Sequence, residues 1–140
     1  MGQRGFVILE HPSDVGIRGT GDTLPEAFEQ AAKGMMSLIL ELSSVDVVSE
    51  QTVTILGSDK GQLLVKWLTE ILYLFDGKQF VPCEFHIREL SDTSLHATVG
   101  GEPLRAEKHQ TNLDVKAVTY HQLEIEETEA GASVTVFLDI

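Results

Sequence analysis

Two segments of the chain carry apolar residues at the three- and four-residue spacing that predicts amphipathic helices. The first covers residues 27–42 and is preceded by residues 23–26, Thr-Leu-Pro-Glu, which form a capping box. The second covers residues 63–75, and Ser58 or Asp59 is suited to cap its start. Each predicted helix has a broad apolar face that another element has to cover.

The rest of the chain alternates apolar and polar residues in short runs, a pattern that is typical of strands with one buried face. Gly100-Gly101 is a two-residue hairpin signal after one such run, and we interpret Gly16, Gly19 and Gly21 as glycines that shape a turn or bulge. No repeat, linker or break in composition divides the chain. The sequence therefore predicts one α+β domain over residues 1–140, with two amphipathic helices packed on a mostly antiparallel sheet. The predicted strands are residues 6–10, 15–19, 47–56, 80–90, 95–99, the segment 102–104 that follows the hairpin, 116–126 and 133–139.

Composition narrows the function classes. Ten Lys and Arg residues stand against 22 Asp and Glu residues, a net charge of −12, which argues against non-specific binding to nucleic acid or to anionic lipid. Cys83 is the single cysteine, which excludes a disulfide framework, and we interpret it as a small core residue. No apolar stretch resembles a signal peptide or a membrane span, so we expect a cytoplasmic protein with no membrane partner.

The motifs of the common hydrolases are absent from the sequence. The five histidines form neither an HxxxH nor an HExxH pair, and no GxSxG nucleophile elbow occurs, so we predict no catalytic residue. Asp14 and Asp139 are more informative, since Asp139 is followed by Ile140, the last residue. Carboxylate oxygens suit a hard cation such as Ca²⁺ or Mg²⁺. The alternative is a turn carboxylate at Asp14 and a solvated terminus.

Four stretches of the sequence together resemble the archease family. They are residues 11–16, His-Pro-Ser-Asp-Val-Gly; residues 63–73, Leu-Leu-Val-Lys-Trp-Leu-Thr-Glu-Ile-Leu-Tyr; residues 116–121, Lys-Ala-Val-Thr-Tyr-His; and the final Asp139-Ile140. The resemblance covers the whole chain in order. Two departures are evident, since archeases commonly have Thr-Ala in place of Pro12-Ser13 and often have an acidic residue near Arg105.

The resemblance implies a non-catalytic accessory protein of the RtcB-type RNA ligase of tRNA splicing. Such a protein promotes guanylylation and multiple turnover of the ligase, and it meets RNA only through the ligase. The resemblance also implies a divalent-cation site at Asp14, Asp139 and Ile140, with Ca²⁺ as the expected ion and Mg²⁺ or Mn²⁺ as alternatives. These two Asp residues are 125 positions apart, and closing an unstructured loop of that length costs on the order of 4 kcal/mol, so the fold has to bring them together.

Six further residues are candidates for contacting the partner or shaping the site. Lys108, His109 and Lys116 form a small basic island, either solvated charges at strand ends or a contact for nucleotide or an acidic ligase surface. Tyr120 and His121 are expected to hold the site or the sheet in shape. His11 is the sixth, and it matters for one alternative function, a small metal-dependent hydrolase, because that enzyme needs a general base near the cation. The other alternative is a general chaperone-like scaffold.

Overall fold

The computed structural model describes residues 4–10 and 14–140. Two helices are connected to short antiparallel strands, and a 3-10 helix, Leu42–Ser44, follows the first helix. In this part of the chain the helices and strands are, in order, β1 (Gly5–Glu10), β2 (Asp14–Gly21), α1 (Leu24–Ile39), β3 (Ser49–Leu56), α2 (Lys60–Asp76), β4 (Phe80–Leu90), β5 (Ser94–Pro103), β6 (Ala117–Val118), β7 (Glu124–Thr128) and β8 (Gly131–Asp139).

The strands form two antiparallel sheets. The first has the order β1-β2-β8-β6, and β7 also pairs with β8. The second has the order β3-β5-β4. The predicted α+β class is confirmed, and every strand pair among the described residues is antiparallel.

One apolar core joins the helices to both sheets. Trp67 of α2 is fully buried, and its indole N–H donates to the carbonyl oxygen of Phe28 in α1 over 3.0 Å. The same indole packs edge-on against Phe85 of β4, with 6.3 Å between ring centroids. This side chain therefore ties the two helices to the second sheet, and its single polar atom is satisfied within the core.

The predicted helix starts are confirmed. Thr23 precedes α1 and its hydroxyl accepts from the backbone N–H of Glu26 at 3.4 Å, while the Glu26 carboxylate accepts from the N–H of Asp22 at 2.8 Å. Asp59 caps α2 by accepting from the N–H of Gln62 at 2.8 Å. The first helix ends at Ile39, three residues before the end of the predicted segment, because the chain turns there into the 3-10 helix.

The interpretation of Gly16, Gly19 and Gly21 as turn or bulge residues is wrong. All three lie inside β2, which pairs with β8 without a register shift. A Cβ on Gly19 would lie 2.4 Å from the carbonyl oxygen of Ala27 in α1. Gly19 and Gly21 therefore let β2 approach α1 closely, whereas a Cβ on Gly16 would lie 2.7 Å from the Phe137 ring. Both are long-range packing requirements that look like a local turn signal in the sequence.

The Gly100-Gly101 hairpin is also absent. Both glycines lie within β5, which continues to Pro103. A Cβ on Gly101 would lie 1.9 Å from the carbonyl oxygen of Val81 in β4, beside the register shift between Pro82 and Glu84. The glycine pair accommodates the irregular neighbouring strand instead of reversing the chain.

Cys83 is half-buried and packs against the core, and burial raises the pKa of its thiol. Both observations support its interpretation as a small core residue. Of the helices in the described ranges, none combines the length and apolar character that crossing a bilayer requires.

We expect Gly19→Ala to lower the free energy of unfolding by about 2 kcal/mol or more, because the new methyl group meets backbone atoms of α1 that have no space to move. Gly61→Ala is the matched control. The nearest atom to its added Cβ lies 3.3 Å away in the Asp59 side chain, and alanine favours the helix, so this variant stays within about 1 kcal/mol of the wild type or gains stability. Urea unfolding measures both, and equal stability of the two variants would contradict the close-approach explanation.

Candidate functional site

The pairing of β2 with β8 brings two distant carboxylates together. β2 begins at Asp14, β8 ends at Asp139, and these two residues are directly opposite each other in the ladder. Side chains of directly opposite residues lie on one face of a sheet with their Cβ atoms about 5 Å apart. The predicted pair of Asp side chains therefore shares one end of the first sheet.

The carboxylate pair lies on the face of the sheet that points away from α1. Its strand neighbours Val15 and Leu138 are buried, and Leu138 belongs to the core that the helices cover. Because side chains alternate along a strand, Asp14 and Asp139 project to the opposite side. Asp14 is half-buried and Asp139 is exposed, so the pair is accessible to an ion or to another molecule.

The segment of residues 116–121 fixes the backbone of Asp139 from its other side. The N–H of Lys116 donates to the carbonyl oxygen of Asp139 over 2.8 Å, and Ala117 is the opposite residue in β6. Two residues further along, the N–H and hydroxyl of Thr119 both donate to the carbonyl oxygen of Phe137, at 3.1 and 2.9 Å. Asp139 is thus held between two strands, and Lys116 is placed at the same end of the sheet.

An aromatic cluster lies next to the carboxylate pair. Phe137 shares a face of β8 with Asp139 and is only 4% exposed, since its ring covers Gly16 on one side. The His121 ring packs edge-on against it, with 6.1 Å between centroids. Tyr120, by contrast, is 58% exposed. Phe137 was missed in the sequence, where it looks like one more apolar residue of a strand.

Ile140 extends the site by one residue. It is half-buried and packs against the core, which anchors the chain immediately after Asp139. His11, with Pro12 and Ser13, lies outside the described residues. Within residues 4–10 and 14–140, no group of three or more His, Cys, Asp or Glu residues is arranged to hold a metal ion. Of the three predicted ligands, Asp14 and Asp139 are the two whose side chains carry oxygen atoms, and Ile140 directly follows Asp139 at the end of β8.

Lys108 and His109 lie in a different cluster, which centres on Glu102. The Glu102 carboxylate is buried and accepts from Lys108 Nζ at 2.8 Å, from the N–H of Asp46 at 3.0 Å and from His109 Nε2 at 3.0 Å. His109 Nδ1 accepts from the N–H of Arg105 at 3.0 Å, so the ring is the tautomer that carries its proton on Nε2. Every polar atom of the His109 ring is thereby satisfied.

The prediction of a basic island therefore needs correction. His109 is 3% exposed and Lys108 is paired with Asp46 and Glu102, so neither is a solvated charge at a strand end. Lys116 is placed instead beside Asp139. The buried acidic partner of His109 is Glu102, three positions before Arg105, and no sequence pattern joins Glu102 to His109.

Three hydrogen bonds lower the pKa of Glu102 to about 2. The largest effect comes from Lys108, followed by the backbone N–H of Asp46 and then by His109. A carboxyl whose pKa is lower in the folded state stabilises the fold above its unfolded pKa and loses that contribution as the pH falls through its folded pKa. We therefore expect Glu102→Gln to be less stable than the wild type at pH 7, with the difference shrinking between about pH 4.5 and pH 2.

The measurement is thermal unfolding of both proteins across this pH range. Glu107→Gln is the matched control, because Glu107 is exposed and lies in the same segment. A stability difference between Glu102→Gln and the wild type that persists unchanged down to pH 2 would contradict an ionised Glu102 at the centre of this cluster.

Comparisons with known proteins agree with this architecture. Residues 6–140 match the model of the Archease protein family (MTH1598/TM1083). The chain is 37% identical over 139 residues to Protein archease of Methanosarcina mazei, covering 96% of this chain and 95% of that protein. It is 38% identical over 138 residues to Protein archease of Saccharolobus islandicus, covering 98% and 99%.

A solved structure agrees as well. The solution structure of Methanobacterium thermoautotrophicum protein 1598 superimposes with a TM-score of 0.81 at 31% identity, covering 99% of this chain and 100% of that one. The family model, the full-length relatives and the shared fold support one conclusion: the chain belongs to the archease family.

Proposed function

We propose that this protein is a non-catalytic activator of an RtcB-type RNA ligase in tRNA splicing and RNA repair. In this proposal it acts in the cytoplasm, promotes guanylylation and multiple turnover of the ligase, and leaves RNA binding to the ligase. The observation that supports it most is the direct pairing of Asp14 with Asp139 in the first sheet, at an accessible end of the β2–β8 ladder. Membership of the archease family supports the partner, and the net charge of −12 disfavours direct RNA binding.

The donor set fits a hard divalent cation. Two Asp carboxylates on one face and the main-chain carboxylate of Ile140 supply oxygen ligands alone, which Ca²⁺, Mg²⁺ and Mn²⁺ prefer. Two unit charges 4 Å apart repel by about 4 kcal/mol at an effective dielectric of 20, so carboxylates at directly opposite strand positions favour a cation between them. Ca²⁺ is the ion that we propose first, since its flexible coordination tolerates an open, partly exposed site.

A cation bound there would offer its remaining coordination positions to oxygen atoms of the ligase or of its nucleotide. The chain's own residues keep the donors in place. Lys116 and Thr119 hold β8 through backbone hydrogen bonds at 2.8 and 3.1 Å, and His121 packs on Phe137 beside the pair. We propose that Tyr120, which is exposed near this end, and the Lys116 side chain contact the ligase surface.

We expect Asp14→Asn and Asp139→Asn each to weaken cation binding by about tenfold or more, because each removes one charged ligand worth at least about 1.4 kcal/mol. Both variants are also expected to lose stimulation of ligase guanylylation in single-turnover reactions with GTP. Calorimetric titration with Ca²⁺ and with Mn²⁺ measures the first effect, and formation of the guanylylated ligase measures the second.

Glu126→Gln is the matched control. Glu126 is opposite Ser133, so it lies on the same face of the same sheet at a distance from Asp139. The Glu126→Gln substitution therefore removes one negative charge from that face without touching the proposed site. This variant should bind the cation and stimulate the ligase as the wild type does. Normal stimulation by folded Asp14→Asn and Asp139→Asn variants would rule out the proposed site, and turnover of phosphoesters without the ligase would favour the hydrolase hypothesis.

The role of Ile140 has its own test. Converting its carboxylate to an amide by intein-mediated ligation removes one negative charge and leaves every side chain unchanged. We expect the amidated protein to bind Ca²⁺ about tenfold more weakly and to stimulate the ligase less. Unchanged calorimetric affinity of the amidated protein would exclude the Ile140 carboxylate as a ligand.

A further inference from the structure

The outer edge of β3 presents backbone N–H and C=O groups with which no other described strand pairs. β3 pairs with β5 on one side only, through eight consecutive residue pairs from Ser49–Gly101 to Leu56–Ser94 without a register shift. Its sequence, Ser-Glu-Gln-Thr-Val-Thr-Ile-Leu, contains neither proline nor lysine. Proteins usually protect an exposed edge with such residues, with a bulge or with a covering element, because an unprotected edge pairs with other strands.

The opposite edge of the same sheet shows that protection. β4 contains Pro82 and two register shifts, and the carboxylate of Glu29 in α1 accepts from the N–H of Ile87 at 2.8 Å. The outer edge of β4 is thus protected against pairing with another strand, whereas β3 lacks a proline, a lysine and a register shift of this kind.

Two hydrogen bonds establish which backbone groups of β3 point outward. The N–H of Gly57 donates to the carbonyl oxygen of Thr93, one pair beyond Leu56–Ser94, so odd-numbered residues point their backbone groups at β5. Within β3 the even-numbered residues then point outward, whereas the N–H of Val48, just before the strand, donates to the carbonyl oxygen of Gly101 in β5 over 2.9 Å. Lys66 Nζ contacts the outward carbonyl oxygen of Leu56 at 2.8 Å. The outward N–H and C=O groups of Glu50, Thr52 and Thr54 carry no hydrogen bond from any other described residue.

A second copy of this strand matches these groups. When two β3 strands pair antiparallel about a two-fold axis at Thr52, each Thr52 is opposite its counterpart and each Glu50 is opposite Thr54. The six N–H and six C=O groups that Glu50, Thr52 and Thr54 contribute from the two strands then bond to each other, and the Leu56 carbonyl that Lys66 contacts is not needed.

The side chains agree with this register. It places Leu56 of each copy at one end of the paired segment, and this residue is 69% exposed in the single chain. It also keeps the two Glu50 carboxylates apart from each other, whereas pairing centred on Glu50 would oppose them directly, which is destabilising. We infer that β3 is a self-association edge, at which two copies of this protein pair into one continuous six-stranded antiparallel sheet.

The interaction is weak and depends on salt. A pair of short strands buries less surface than a standard protein interface, so the dimer forms at high protein concentration. Each copy carries a net charge of −12, and screening this repulsion strengthens the pairing. The inference is independent of the cation site, since β3 belongs to the other sheet.

The test begins with the mass of the wild-type protein in solution, by sedimentation equilibrium at increasing protein and salt concentration. The expected mass rises from 15.4 kDa towards twice that value. Thr52→Pro removes an outward N–H and leaves the β5 ladder intact, so it should stay at 15.4 kDa under all conditions. If the proline variant does not fold, Thr52→Lys replaces it. Pairing at the two-fold axis would place two lysine charges directly opposite each other, so this variant should also stay monomeric.

Thiol crosslinking in a Cys83→Ser background tests the register. Thr52→Cys should crosslink to its own copy, because directly opposite Cα atoms lie about 5.5 Å apart. Glu50→Cys should not crosslink to itself, and it should do so when mixed with Thr54→Cys. A wild-type protein that remains monomeric at millimolar concentration, a dimer that survives in folded Thr52→Pro or Thr52→Lys, or equal self-crosslinking at positions 50 and 52 would overturn the inference.

Discussion

The register of β2 against β8 is the constraint on which the candidate site depends. Eight consecutive pairs join the two strands, from Asp14–Asp139 to Gly21–Ala132. A slip of one residue would turn Val136 and Leu138 out of the core and would separate the two carboxylates. The free energy of apolar burial therefore fixes the register that places Asp14 opposite Asp139. No attraction between the two carboxylates is required to bring them together.

The two faces of the first sheet differ in what they contact: one packs against α1, and the other carries the two carboxylates. On the helix side, Gly19 brings β2 so close to α1 that even a methyl group would collide with the helix backbone. On the other side, Asp14 and Asp139 remain accessible beside the ring of Phe137. The buried Glu102 cluster secures the chain between the sheets, because His109 and Lys108 hold the segment that leads to Lys116, and the N–H of Lys116 bonds to Asp139. Hydrogen bonds and an ion pair thus connect the buried Glu102 cluster, through the segment that leads to Lys116, with the candidate site.

The features that the sequence predicted correctly are mostly local. Helix periodicity, the caps at Thr23 and Asp59 and the alternation in β4 depend on neighbours in the chain, and the structure confirms them. The errors concern contacts between distant segments. Gly19 and Gly101 looked like turn residues because a glycine required for close backbone approach has the same local appearance as one required for a turn.

Long-range contacts also explain what was missed at the site. The partnership of Glu102 with His109 has no sequence signature, so a satisfied buried cluster was mistaken for part of a basic surface. The pairing of Asp14 with Asp139 was expected from the family resemblance, since no local pattern connects residues 125 positions apart.

We propose that one cation binds between Asp14 and Asp139, and paramagnetic broadening by Mn²⁺ in a two-dimensional NMR spectrum tests this proposal most directly. At substoichiometric Mn²⁺, the account predicts that the amide signals of Asp14, Lys116 and Asp139 broaden together, while those of Thr52 in the other sheet stay sharp. Broadening that centres on the acidic β7 strand, with Asp14 and Asp139 unaffected, would contradict it.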